Sequence, residues 1–429
     1  GLDSININGN NISAAIKLEK NSKIIIDSVM VKGSARIHIS YIQQYLGIKP
    51  GDTYDESRIS KISEKLNEMP FTSVIKPFEV VFTPDKATVM LYLDKKKASQ
   101  FDGILGIAPG DDKDGNLLIT GDVTLKLMNI LRRGELIDFR WRKLEQSTQD
   151  LKFNFAYPFL FKTPFGVDYH FYLYKRDTSF ITLENHIGVN YMFKGYNYIQ
   201  AYYEHQSSSL LSTAGLEFAT TLPPYADVKT AFYGLKFSYD NLDYRFNPRK
   251  GFSIHSSGAV GKKTIRQNDN LNPELYDDLQ LESTIYRILL DARGFIPIYG
   301  NLTFMLATEN GYLDNPNLFE NELFRIGGLK TLRGFDEESI FVSFYSILTC
   351  EFRYLFDVNS FVSLFWNGAY VEQNTHDNYM SDYPMGFGAG LSFETKAGIF
   401  NISYALGRRF DNPIQLKAAK IHFGLTATF

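Results

Sequence analysis

The sequence predicts a membrane all-β fold: a sixteen-stranded antiparallel transmembrane β-barrel over residues 98–429, with an α+β module of order β-α-α-β-β over residues 23–97. Three observations predict it. Aromatic residues make up 15% of the chain, with 27 Tyr and 35 Phe against only 2 Trp, richer than a soluble domain of balanced composition. Mean hydropathy is −0.20, and no run of about 18 residues is free of charge, which excludes a membrane-spanning helix. Beyond Lys97 apolar and polar residues alternate with period two, as when only every second side chain meets lipid.

Composition narrows the rest. The net charge of −3 lends no support to nucleic-acid binding. A single cysteine, Cys350, allows no disulfide within the chain. Gly1-Leu2-Asp3-Ser4 has neither a basic start nor an apolar core, so a signal peptide is expected to have been removed or to lie outside this chain.

Taken in order, residues 1–22 read as a hairpin. Ile5-Asn6-Ile7 and Ala14-Ala15-Ile16-Lys17-Leu18-Glu19 flank Asn8-Gly9-Asn10-Asn11, and the expectation is the closing hairpin of a truncated upstream repeat, or else a leader. Residues 24–31 form a β-branched run closed by Gly33. Residues 37–46 and 56–66 have helical spacing, with Ile59, Ile62 and Leu66 on one face. Between them Gly47-Ile48-Lys49-Pro50-Gly51-Asp52 is a compact turn, and Asp55 is placed to cap the second helix. Pro70 stops that helix; strands over residues 74–82 and 87–93 follow, joined by Thr83-Pro84-Asp85-Lys86. The pattern is one helical layer on one sheet. It resembles a POTRA domain in Ile26-Asp27-Ser28-Val29-Met30-Val31-Lys32-Gly33, in the turn over residues 46–52 and in the closing hairpin, which implies a periplasmic module.

In the barrel region Ile181, Leu183, Ile187, Val189, Tyr191 and Phe193 share one face, while Thr182, Glu184, His186 and Asn190 take the other. Near Cys350 the outward set is Val342, Phe344, Leu348, Cys350, Phe352 and Tyr354; Ser343, Tyr345, Thr349, Glu351 and Arg353 face inward. A polar interior with an apolar exterior inverts a soluble core, and a closed ring leaves no strand edge unpaired. About sixteen such segments follow one another, an even number as single-chain bacterial barrels have. Long connections at residues 109–116, 206–229, 262–280, 315–338, 372–383 and 408–418 alternate with tight ones. The long loops are therefore expected at the cell surface and the N-terminal module in the periplasm.

One loop organises the rest: Leu323-Phe324-Arg325-Ile326-Gly327-Gly328-Leu329-Lys330-Thr331-Leu332-Arg333-Gly334-Phe335-Asp336. A glycine pair lets backbone fold tightly, and an arginine on such a loop can reach an inward carboxylate. With this loop the chain resembles the BamA/TamA superfamily of outer-membrane assembly and translocation barrels, of the bacterial surface antigen type. The resemblance implies a sixth loop folded back inside the barrel, with Gly327, Gly328, Arg333, Gly334 and Phe335 as its motif. It implies wall partners at Glu351, Phe365, Asn367 and Gly368, where Asn367 replaces the family's usual aspartate. The alternation places Glu351 and Asn367 inward independently. Arg333 is expected to pair chiefly with Glu351, because only that partner is charged. Gly386, Gly388 and Gly390 are expected to clear space beneath the loop. The final alternating strand with its terminal aromatic resembles the sorting signal of such barrels.

No nucleophile elbow, His-Glu-x-x-His pair, cysteine cluster or phosphate loop occurs. The seven histidines are scattered, and solvated or lumen-facing roles are expected for them. The expectation is a non-enzyme with no cofactor and no metal. Function would come from mechanics: a seam between Phe101, Gly103, Gly106 and Pro109 in the first strand and Ile421, Phe423, Gly424 and Phe429 in the last could open toward lipid and template an incoming strand. The reading is an outer-membrane factor that inserts or exports client outer-membrane or secreted proteins. Its surroundings would be outer-membrane lipid and lipopolysaccharide, with accessory periplasmic or lipoprotein subunits as further partners. Two alternatives remain: an anchor for an upstream patatin-like domain, and a dedicated two-partner secretion pore.

Overall fold

The structure is a computed structural model that describes every residue except 1, 10, 17–22, 110–116, 144–147, 196, 215, 217–218, 220, 245–246, 396–397, 411–413 and 427–429. The chain divides into two units, Gly1–Lys96 and Lys97–Phe429.

In the first unit, β1 (Leu2–Asn8) and β2 (Asn11–Ile16) form an antiparallel hairpin. There follow β3 (Ile25–Lys32), α1 (Ile39–Leu46), α2 (Glu56–Ile59), α3 (Ile62–Glu68), β4 (Thr72–Phe82) and β5 (Lys86–Lys95). The sheet order is β3-β5-β4, with β3 parallel and β4 antiparallel to the central β5. Alternation builds the core. Ala87, Val89, Leu91 and Leu93 on one face of β5 are wholly buried, as are Tyr41, Ile42, Tyr45, Ile59, Ile62 and Leu66 of the helices to within 2%. Gly47 ends α1 with φ 71°, a left-handed cap that glycine adopts without strain. Asp55 caps α2 by accepting from the Ser57 amide at 2.9 Å. The single second helix expected from spacing is two: the Lys61 amide bonds back three residues to Arg58, so the ladder tightens and restarts.

The second unit is a closed antiparallel barrel. Its first strands are β6 (Gln100–Pro109), β7 (Leu117–Met128), β8 (Leu136–Lys143) and β9 (Gln149–Tyr157). Then come β10 (Phe165–Arg176), β11 (Phe180–Lys194), β12 (Asn197–Leu210), β13 (Val228–Leu242), β14 (Gly251–Ile265), β15 (Glu282–Tyr299) and β16 (Leu302–Asp314). A short hairpin, β17 (Phe324–Ile326) with β18 (Ile340–Val342), lies within the sixth long loop. The ring resumes with β19 (Phe344–Asp357), β20 (Ser360–Asn374), β21 (Tyr379–Asp382), β22 (Met385–Thr395), β23 (Gly398–Arg408) and β24 (Lys420–Thr426), which lies beside β6. Both β21 and β22 pair with β20, so they fill one place in the ring, broken at Tyr383-Pro384. The ring therefore has sixteen places. A long loop was expected over residues 372–383, but strands extend through most of it and only residues 375–378 connect them.

The two faces follow the alternation. Leu183, Ile187, Val189, Tyr191 and Phe193 are 37–55% exposed toward the lipid side, while Thr182 and Asn190 are 5% exposed. Val342 departs from the expected pattern: it belongs to β18 and is buried with Ile326, Leu332, Ile340, Tyr345, Ile347 and Val371. The interior is polar except where this loop packs on the wall. A second apolar cluster joins the long loops to one another through Leu222, Ala226, Leu271, Tyr276 and Phe319.

Candidate functional site

The sixth loop begins as β16 ends and returns to β19 through β17 and β18. At the turn of this hairpin Gly327 and Gly328 have φ of 113° and 97°, a region that side-chain-bearing residues avoid. A Cβ on Gly328 would stand 2.2 Å from the Glu337 carboxyl carbon. That carboxylate instead accepts the Leu329 amide at 2.8 Å, and the Gly327 amide donates to Thr331 Oγ1 at 2.9 Å. The turn is thus closed by its own side chains, and Leu332 behind it is wholly buried.

The tip meets the inner wall at Arg333. Its Nη1 donates to Glu351 Oε2 at 2.6 Å, its Nε donates to Asn367 Oδ1 at 3.0 Å, and its guanidinium lies 3.5 Å from the Phe365 ring centroid. The strand register explains the convergence. Thr349 of β19 opposes Asn367 of β20 and Glu351 opposes Phe365, so the four inward side chains form one patch. Glu351 does not hold Arg333 with both oxygens, because Oε1 accepts from Arg353 Nε at 2.6 Å. Asn367 is oriented in turn by donating to Thr349 Oγ1 at 2.5 Å. Burial of Glu351 to 3% and Asn367 to 1% strengthens each of these bonds.

Backbone fits backbone beside it. A Cβ on Gly386 of β22 would lie 1.9 Å from the Arg333 carbonyl oxygen, and one on Gly407 of β23 would lie 2.4 Å from that of Gly334. Gly334 itself has φ 98°, and Phe335 packs beside Gly407 and the apolar cluster under the loop. Farther along, Asp336 takes Lys420 of β24 at 2.8 Å, and Glu338 takes Arg325 at 3.1 Å, with Arg142 and Lys152 each at 3.8 Å. Arg325 also donates to the Tyr172 hydroxyl.

The structure thus brings Gly327, Gly328, Arg333, Gly334, Phe335, Glu351, Phe365 and Asn367 into one region. Gly368 is a correction. It opposes outward Leu348, and a Cβ there would meet the Trp366 ring at 2.3 Å, so it makes room for an outward indole and not for the loop. Gly388 and Gly390 are likewise closed in by Tyr404 and Ser363, leaving Gly386 as the one glycine of β22 beneath the loop. At the seam Phe101, Ile421 and Phe423 are 53–72% exposed. Gly103 faces the same way, beside the Phe101 ring, whereas a Cβ on Gly424 would point inward, 3.7 Å from Leu329 of the loop. Gly106 and Pro109 pair with Thr120 and Leu117 of β7, and Phe429 lies outside the described residues. Among the described residues the contact of β24 with β6 is the sparsest between neighbours in the ring.

Sequence reasoning placed Arg353 inward without its bond to Glu351, and missed Gly407 and the Asp336–Lys420 tie. Gly407 had a signal, a glycine in an alternating strand near the terminus; the pairing of Lys420 had none. It also passed over Asp168, His170 and His186, whose donor atoms lie within 4.8 Å of one another. The histidines stand sixteen residues apart, and only the hairpin register makes them opposite neighbours.

Residues 129–429 match the family described as the Omp85 superfamily domain, and residues 24–94 match the POTRA family described as the surface antigen variable number repeat. Among solved structures the chain is similar to BamA from Haemophilus ducreyi lacking POTRA domains 1–3, with 14% identity, TM-score 0.52, and 100% of this chain and 90% of that one covered. It is similar to CdiB from Acinetobacter baumannii, with 13% identity, TM-score 0.58 and coverage of 95% and 74%. For CdiB from Escherichia coli the values are 14%, 0.59, 94% and 76%. At these identities the likeness is one of fold. No curated protein matches the sequence. Because the matched family spans the folded-in loop, its wall and the last strand, and a POTRA module precedes them, the chain belongs to the Omp85 superfamily, as an outer-membrane β-barrel with a periplasmic POTRA domain.

Proposed function

We propose that this protein is an outer-membrane assembly or translocation factor that inserts or exports client proteins, using the seam between β6 and β24 as a lateral opening. The observation that carries the reading is that, among the described residues, β24 and β6 share the sparsest contact of any neighbours in the ring. A strand edge freed there presents unpaired amides and carbonyls to which a client strand can add. The folded-in loop supports it. Asp336 grips Lys420 and Leu329 lies beside Gly424, so the element fixed to the wall by Arg333 also touches the last strand of the seam. In the POTRA sheet β4 pairs with β5 on one side only, and β3 is met on its outer side by residues 51–54 only at its start, leaving edges suited to strand addition by client segments. The long loops face the cell surface in this reading, and the chain acts by mechanics and not by catalysis. Accessory lipoproteins and lipopolysaccharide are its expected neighbours.

The test is a cysteine pair joining β6 to β24, in a Cys350→Ser background, with client insertion measured in vesicles. Locked protein should lose insertion and regain it on reduction. Undiminished insertion by the locked form refutes the opening.

A further inference from the structure

We infer that Asp168, His170 and His186 form a binding site for a divalent transition-metal ion of the zinc type on the inner wall between β10 and β11. The inference is independent of the proposed function. Asp168 and His170 are two residues apart on β10 and so share a face; His170 and His186 are directly opposed across the hairpin. Asp168 Oδ2 stands 3.1 Å from His170 Nε2 and 3.6 Å from His186 Nε2. Ligands about 2.0–2.1 Å from a tetrahedral zinc are roughly 3.3 Å apart, so these spacings suit one ion between them.

The orientation of the two rings makes the case stronger. His186 Nδ1 lies 3.3 Å from Glu204 Oε2, and His170 Nδ1 is hydrogen-bonded to Asn154 Oδ1. A carboxylate and an amide oxygen accept hydrogen bonds, so each Nδ1 is engaged with its outer partner and each Nε2 is the ring nitrogen turned toward Asp168. Asp168 is 6% exposed, and neither its Oδ2 nor His186 Nε2 has a hydrogen-bond partner among the described residues. A divalent ion held between the three donor atoms, which lie within 4.8 Å of one another, would satisfy both of these atoms at once.

The surroundings are those of a built site. Asp168 Oδ1 accepts from Asn190 Nδ2 at 2.7 Å and also from Gln200, which turns Oδ2 toward the histidines. Glu204, which orients His186, is held by both terminal nitrogens of Arg287 at 2.7 Å. Such outer partners fix ring orientation and raise ligand basicity. Gly188 completes the cradle, since a Cβ there would stand 2.3 Å from Gln200 Nε2. The His170 side chain is 40% exposed, which gives an ion a way in from the lumen. Two imidazoles and one carboxylate leave at least one position for water.

The test uses the full chain folded in detergent, stripped with chelator and titrated with zinc sulfate, then with cobalt(II), whose visible absorption reports four-coordinate geometry. The expected result is about one tightly held zinc per chain. His170→Gln, His186→Gln and Asp168→Asn should abolish it, Asn154→Ala should weaken it roughly 10–100-fold, and His205→Gln should leave it unchanged. Heat-dependent electrophoretic mobility checks that each variant is folded. If the variants do not fold, X-ray absorption at the zinc edge of the unaltered chain still decides, with two imidazoles and one carboxylate expected. Failure to retain zinc overturns the inference, as does zinc retained by folded variants or a ligand set without imidazole.

Discussion

Arg333→Ala removes the tip of the folded-in loop from the wall, and its cost can be worked from the contacts. Two charge-assisted hydrogen bonds are lost, at 2.6 Å to Glu351 and 3.0 Å to Asn367, together with the stacking of the guanidinium 3.5 Å above Phe365. Hydrogen bonds to charged groups are worth about 1.5–3 kcal/mol each, and a desolvated cation–π contact about 1–2 kcal/mol. Simple addition overshoots, because breaking a buried ion pair costs about 3–5 kcal/mol in total, mostly through the charge left behind. Here Glu351 keeps Arg353, so the lower end of that range applies and the docked loop should lose about 3 kcal/mol, or roughly 100-fold in its closed-to-open ratio. Hydrogen exchange of the amides from Gly327 to Phe335, measured in detergent, reads that ratio directly. Arg333→Lys should fall between, since an ammonium keeps one bond but not the planar fork. Combining Arg333→Ala with Glu351→Gln should cost less than the sum of the two single changes. If Arg333→Ala leaves loop exchange unchanged, or if the two changes simply add, the contact does not hold the loop.

Three further outcomes follow from the same geometry. Gly386→Ala should undock the tip without touching any charge, because its methyl would stand 1.9 Å from the Arg333 carbonyl oxygen; about 1–3 kcal/mol of overpacking is expected, read as faster exchange at Arg333–Phe335 in a barrel that still folds. Gly33→Ala should destabilise the POTRA unit alone, since its φ is 109° and a Cβ would meet the Leu93 carbonyl oxygen at 2.3 Å; loss of protection in β5 with barrel mobility intact is the signature. Asp55 gives a pH dependence. Its bonds from the Ser57 hydroxyl and amide hold its carboxyl below the usual aspartate range, so the stability it adds is complete above about pH 4 and drains away as pH falls through the lower folded value. Amide exchange in α2 should rise on acidification in the parent chain, and Asp55→Ala should remove that rise.

Period-two alternation exposed the wall early because lipid imposes it on every strand. Glu351 and Asn367 could be placed inward from spacing alone, and the Arg-Gly-Phe tip pointed to the element that meets them. Contacts set by shape were hidden. Gly368 read as a loop partner because sequence does not say on which side a glycine's empty space lies, and Gly407 was overlooked for the same reason. Glu351 was expected as the chief partner of Arg333; that Arg353 two residues away bends back to take its other oxygen depends on rotamers. The long loop expected over residues 372–383 was judged from polarity, yet cross-strand pairing of Val371–Asn374 with Tyr379–Asp382 overrides it.

The loops that share Leu222, Leu271, Tyr276 and Phe319 bear on the route a passenger can take. They amount to a ceiling with a small core of its own, pinned where Asn321 donates to Ser208 and the Ala226 carbonyl and where the His376 amide reaches the Leu318 carbonyl. Passing through these loops would mean melting that small core, whereas the proposed lateral exit disturbs only the wall contact that is sparsest among the described residues. Under the proposed function the passenger takes the side door, and loosening the ceiling should widen conductance long before it alters delivery into the bilayer.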